Sequence, residues 1–157
     1  MSLFGNPSYQ YRETYFILFE EDQRPSPDAF IAAIAELGDR YEIKEIHKDS
    51  DEQLESMTVV SPSDFAGMDI TYVDGEEVLE QVGELNEQFR TTTLTGDEMK
   101  KIARIGKCRA RFDILHFEEI TTSEDDFLDP GSLLTVVEKI ANLCGGVGID
   151  RESLTII

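Results

Sequence analysis

Residues 100–111 (KKIARIGKCRAR) hold six of the chain's 14 Lys and Arg and no acid, and the chemistry such a cluster offers is recognition of negative charge. The rest of the chain carries all 33 acids against eight bases, so one basic island sits in a strongly acidic body. Lys100, Arg104 and Lys107 recur at i, i+4 and i+7, which sets them on one stripe of a helix. Arg109 and Arg111 fall in the following stretch, where the pattern changes to strand alternation. Three uses of the cluster stay open. The stripe can pair with the acidic stripe of a neighbouring helix, with Glu80, Glu84 and Glu87 as the match. Lys100, Arg104, Lys107, Arg109 and Arg111 can together gather an anion or phosphate, although Asp97 and Glu98 crowd the helix start where an anion would sit. Or the stripe can dock on the acidic surface of a second subunit or of another protein.

Cys108 stands between Lys107 and Arg109 and is a candidate reactive thiol, because flanking cations stabilise a thiolate if the sulfur reaches solvent. Cys144 lies on an apolar helical stripe and reads as inert core. The two histidines are isolated. His116 shares a strand face with Ala110, Phe112 and Ile114 and reads as a packed or edge histidine, while His47 sits near a strand end among charges. They cannot by themselves supply a three-ligand zinc site, so no metal is expected. The GGVG at 145–148 closes a helix instead of opening one and lacks a following Walker lysine, which makes it a helix stop and not a phosphate cradle. Asp49, Asp51 and Gln53 lack the third ligand and the glycine of a calcium loop, and residues 124–129 lack its spacing and final glutamate. No catalytic residues and no cofactor are expected.

A formal net charge of −19 and a pI near 4.3 repel nucleic acid and anionic lipid before contact, which leaves a second copy of the chain or a basic protein as expected partners. An inhibitor or immunity-type protein that blocks a basic enzyme belongs to the same class. With 40% apolar and 30% charged residues the composition is that of a folded domain, outside the low-hydrophobicity range of disordered chains. Two cysteines, no apolar leader and no 18-residue apolar run predict a cytoplasmic protein with neither disulfide framework nor membrane span. The length predicts one domain over residues 11–157 after a flexible terminus at 1–10.

The elements that must position these residues follow from periodicity. Residues 14–20 (TYFILFE) are apolar on both faces, as in a central strand. Ser26 and Pro27 open a helix over 27–37, and strands follow at 41–47, 57–60 and 68–72. Residues 76–89 put Val78, Val82, Leu85 and Phe89 on one stripe and glutamates on the other, and Thr95 with Glu98 marks a capping box for a helix to 106. A strand at 109–117, a helix from Pro130 to Cys144 and a strand at 147–149, with a further one at 154–157, complete the order βαβββααβαβ. This predicts an α+β fold: a two-layer sandwich with a mixed, mostly antiparallel sheet and helices on one face, a ferredoxin-like core and an added βαβ unit. The expected function is non-enzymatic protein interaction, by self-association or with a basic partner. The alternative is a small-molecule or anion-binding module or enzyme built around Arg109 and Arg111, with Cys108 or His116 beside them.

Overall fold

A computed structural model describes residues 3–91, 93–120, 130–153 and 156–157. Its elements run β1 (Tyr9–Phe19), α1 (Pro27–Glu36), β2 (Glu42–Lys48), β3 (Leu54–Ser61), β4 (Ala66–Asp74), α2 (Glu76–Phe89), α3 (Gly96–Ile105), β5 (Ala110–Glu119), α4 (Pro130–Cys144) and β6 (Val147–Asp150). The order matches the one read from the sequence, and the local signals that marked the ends are in place. The Ser26 Oγ accepts from the Ala29 N–H at 3.2 Å, and Thr95 and Glu98 cap each other's backbone N–H groups. Gly145 takes the left-handed φ of 62° that ends α4.

The six strands form one sheet in the order β2-β3-β4-β5-β1-β6, and every adjacent pair is antiparallel, where a mixed sheet was expected. β1 lies between β5 and β6 and pairs with none of β2, β3 or β4, so the ferredoxin-like pairing expected for the first half is not formed. The added βαβ unit does exist. β5 and β6 each run antiparallel to β1, hence parallel to each other, and α4 carries the chain from one to the other past β1.

Side chains alternate across a strand, and here the alternation feeds two separate cores. Ile17, Phe19, Met68, Ile70, Phe112 and Ile114 pack with Phe30 and Ile34 of α1 and with Leu133, Val136, Val137 and Ile140 of α4. Leu18, Val147 and Ile149, which point the other way, pack with Val78, Val82, Leu85 and Phe89 of α2 and with Ile105. The helices therefore lie on both faces, α1 with α4 and α2 with α3, instead of on one. The reason is that β1 is apolar at consecutive positions, Phe16 to Phe19, so each face needs a cover. No helix among the described residues is long and apolar enough to cross a membrane.

The N-terminal residues that are described make specific contacts with the sheet. Leu3 is buried, its N–H donates to Asp69 Oδ2 at 3.0 Å, and its side chain fills the space over Gly67, where a Cβ would come within 2.6 Å of Leu3 Cδ1. Asp69 Oδ1 accepts from the Thr58 hydroxyl at 2.8 Å, so the carboxylate ties the terminus to β3 and β4. At the other end Ile156 bridges Ile149 and the Ile157 N–H donates to the Gly148 carbonyl at 2.8 Å. Asp129 as a helix cap, most of the acidic loop at 118–129 and the first two residues of the strand at 154–157 lie outside the described residues.

Gly146 enters β6 so close to β1 that an added Cβ would stand 2.8 Å from both the Leu18 carbonyl oxygen and Ile17 Cγ2. Because one of those atoms is backbone, Gly146→Ala is expected to destabilise the fold by about 1–3 kcal/mol, as overpacking does. Urea denaturation checks it, and an unchanged midpoint would show that β6 does not sit as described.

Candidate functional site

The six cations of the island have separate fates. Arg111, on β5, points under α2 and is only 4% exposed. Its Nε and a terminal nitrogen donate to the two oxygens of Asp113 at 2.5 and 3.1 Å, its other terminal nitrogen donates to Gln81 Oε1 at 2.5 Å, and Glu77 Oε1 accepts at 3.2 Å. Four of a guanidinium's five donors are thus used, and the plane stacks on Phe16 with its carbon 4.5 Å from the ring centroid. Burial raises the Asp113 carboxyl above the usual range despite the arginine beside it. Arg111 is a structural bracket between sheet and helix. A hollow of about 360 Å³ opens beside it, between Phe16, Glu80, Glu84 and Arg151, but this arginine has one N–H left to offer a ligand.

Arg109 donates to the carbonyls of Gly106 and Cys108 at 3.0 and 2.8 Å and holds the turn from α3 into β5. Lys101 reaches across to the Ile157 carbonyl at 2.8 Å and pins the C-terminal segment. Lys100, Arg104 and Lys107 are different. All three are exposed, and none forms an ion pair or a side-chain hydrogen bond among the described residues. The internal seam with Glu80, Glu84 and Glu87 is therefore not formed. α2 and α3 lie side by side, their inward residues sharing one core, and this turns both polar faces the same way, toward solvent.

α2 mirrors α3 with the opposite sign. Its first turn carries Glu76 and Glu77, and Glu80, Glu84 and Glu87 continue along an exposed face, where among these three only Glu87 has an ion pair with a described residue, Arg90 at 3.0 Å. Like charges at i and i+4, such as Glu76 with Glu80, Glu80 with Glu84 or Lys100 with Arg104, cost an isolated helix roughly 0.2–0.5 kcal/mol per pair. In the middle of the acidic face is Gly83, the floor of a shallow hollow rimmed by Glu80, Glu84, Glu87 and Gln88. Beyond its own helix backbone and chain neighbours, no atom of the described residues lies within 4 Å of where its Cβ would be, so packing inside the chain does not require a glycine there. A glycine in a helix interior costs about 1 kcal/mol relative to alanine.

The other candidates are placed plainly. Cys108, the candidate reactive thiol, is 3% exposed, and its Sγ donates to the Arg104 carbonyl at 3.4 Å. Burial pushes its pKa up to about 11, further helped by Glu20 and only opposed by Arg104 and Arg109, so the flanking cations do not make a thiolate. Cys144 is buried on α4 as expected, its pKa raised to about 12. His116 is fully buried on the face covered by α1 and α4, opposite to the face of Arg111. Its Nδ1 lies 3.4 Å from Glu13 Oε1, and its Nε2 has no hydrogen-bond partner among the described residues. Arg111, Cys108 and His116 therefore do not meet in one cleft. A second hollow of about 350 Å³ lies on the bare sheet between Glu45, His47, Ser56, Thr58, Asp69 and Thr71, where Asp69 already holds the N-terminus. Sequence reasoning missed Glu77, Gln81, Asp113 and Phe16 around Arg111. The signal was available only as alternation on β5 and the i, i+4 spacing of Glu77 and Gln81.

No group of three or more metal-ligating side chains occurs among the described residues. No family model, curated protein or solved structure matches this chain.

Removing one partner of the Arg111 cluster leaves a carboxylate under a helix without its counter-charge. Arg111→Met is expected to lower the unfolding free energy by about 3 kcal/mol, measured by denaturant titration, against which a change under about 0.5 kcal/mol would show the bracket to be incidental. His116 gives a pH signature. Burial holds its pKa below the ordinary 6.5 against the pull of Glu13. The unfolded chain then binds a proton that the folded chain refuses, so stability contributed by the neutral ring is full above about 6.5 and is lost as pH falls toward the folded pKa. The difference in stability between wild type and His116→Gln should shrink as pH is lowered from 7 to 5; a difference independent of pH would mean that the ring is not held neutral.

Proposed function

We infer that this protein works by protein interaction, docking the basic face of α3 on an acidic protein surface. The observation that carries the reading is the contrast within the island: Arg109, Arg111 and Lys101 are consumed inside the chain, whereas Lys100, Arg104 and Lys107 are exposed and unneutralised in a chain of net charge −19. In an acidic molecule a solvent-exposed cation has many carboxylates within reach. Three cations on one helical stripe that pair with none of the described ones are presented outward, and electrostatic complementarity at such a face sets the choice and register of a partner.

Binding through this face selects anions of protein type over nucleic acid or lipid. A partner of uniformly high negative charge would meet the repulsion of the surrounding body before reaching the stripe, whereas a local acidic patch on a protein is felt only within a Debye length of about 10 Å at 0.1 M salt. The whole acidic body favours the opposite partner, a basic protein, and inhibitor-like action belongs to that second reading.

Two stapled helical peptides separate the readings, one bearing glutamates at i, i+4 and i+7 and the other lysines at the same positions. At about 0.1 M salt the acidic peptide is expected to bind and to lose about tenfold in affinity when Lys100, Arg104 and Lys107 are replaced by Glu, as three exposed ion pairs would give. Fluorescence anisotropy reads both. Binding of the lysine peptide alone would overturn the stripe in favour of a basic partner, and binding of the acidic peptide that survives the triple replacement would place the interaction elsewhere.

A further inference from the structure

Aligned at an offset of 20 residues, the outward faces of α2 and α3 carry the same arrangement with opposite charge. Leu79 corresponds to Met99, Glu80 to Lys100, Gly83 to Ala103, Glu84 to Arg104 and Glu87 to Lys107. The inward positions correspond too, Val82 to Ile102 and Leu85 to Ile105. All of the outward residues are exposed, with Leu79 at 46% and Met99 at 59% among the most exposed large apolar side chains described. Each helix thus offers an apolar side chain, a small residue and three like charges at i, i+4 and i+7.

We propose that the acidic surface recognised by α3 is α2 of a second copy, in a two-fold symmetric dimer whose axis runs between the two helices and lays α3 of each copy on α2 of the other. This rests on the protein-interaction reading above and names its partner. The fit has three parts. The charges match in number and in sequence spacing: Glu80, Glu84 and Glu87 span about 10 Å along α2, which rises about 1.5 Å per residue, and on the other side Lys100 and Arg104 stand on α3 with Lys107 in the turn just past its last residue, Ile105. If the facing helices run in opposite directions the ends still coincide and the middle charges differ by one residue, within the reach of a lysine or arginine side chain. Gly83 supplies the second part. It weakens its own helix and nothing in the chain packs on it, but a glycine at the centre of a contact lets a partner helix approach closely. Ala103 is the small residue at the same place on α3. The third part is symmetry. In an isologous interface each complementary pair is formed twice, so the like-charge repulsion along both helices of both copies is relieved at once.

The two copies each carry −19 overall and repel at long range, so the contact depends on a short screening length and on six cation–carboxylate matches at close range. The interface is expected to form best near 0.1 M salt and to weaken as salt rises well above it.

Charge exchange tests this directly by sedimentation velocity. Wild type is expected to dimerise at micromolar to tens of micromolar concentration. Lys100→Glu with Arg104→Glu and Lys107→Glu, and separately Glu80→Lys with Glu84→Lys and Glu87→Lys, should each weaken the dimer by about a hundredfold, as six exposed pairs at a few tenths of an order of magnitude each would give. An equal mixture of the two variants should regain the dimer, because each reversed face then meets its opposite on both sides of the axis. The two variants carry formal charges of −25 and −13, so the mixed pair repels more than the −13 variant repels itself, and recovery beyond that variant cannot come from a general change in repulsion. Gly83→Phe fills open space within the chain, so it should leave the thermal melt of the monomer in place and abolish the dimer. A wild type that stays monomeric at about 100 μM overturns the second copy as partner; if that monomer still binds the acidic peptide through α3, the interaction reading stands without it. A dimer indifferent to both triple replacements, or two variants that fail to recover in mixture, also overturns the proposal.

Discussion

The structure depends on the burial of β1 from both sides. Phe16, Ile17, Leu18 and Phe19 are consecutive, nearly inaccessible residues, and in an extended chain consecutive side chains point in opposite directions. One apolar run therefore starts two cores. Flanked by β5 and β6, the strand has both of its hydrogen-bonding edges occupied as well, and four helices are then divided between two faces because neither face can be left to water.

From that division follows the fate of the charges. α2 and α3 are consecutive amphipathic helices joined by a short link, and their apolar stripes must both lie on the same face of the sheet. Two helices bedded side by side on a flat support keep their polar faces parallel, and faces that point the same way cannot neutralise each other. The acidic and basic stripes that invite pairing when written as sequence are separated by geometry. Within the island, a shift of a few residues changes a cation's role entirely: Arg111, on an inward strand position, brackets α2 through Asp113, Glu77 and Gln81, while Arg104, one helical turn from the sheet, is left facing solvent.

Much of the local structure was legible. The order of elements, the bounds of α2, the caps at Ser26 and Thr95 and the stop at Gly145 all rest on interactions between residues a few positions apart. Less of the candidate site could be read. The five candidate cations were visible as a group, but Arg109 was spent on carbonyls of its own turn, and the bracket that Arg111 makes to α2 depended on partners 30 or more residues away, Gln81 and Glu77. Cys108 misled for a related reason. Its neighbours in sequence are cations, yet the sulfur turns into the core with Ile105 and Leu18, and desolvation outweighs neighbouring charge. The N-terminal residues looked loose because their anchor, Asp69 with the space over Gly67, lies on another strand.

By itself the sequence determined which segments are helix and strand, which side of each is apolar, and that opposite charges are concentrated on two successive helices, because these properties are set by repeat spacing and near-neighbour chemistry. Only the tertiary structure decided that every strand pair is antiparallel, that helices cover both faces, and that α2 and α3 show their charges to solvent and not to each other. Those outcomes turn on which distant strands become neighbours, and pairing of that kind is chosen by the joint burial of all the apolar faces at once, a quantity that no single segment carries.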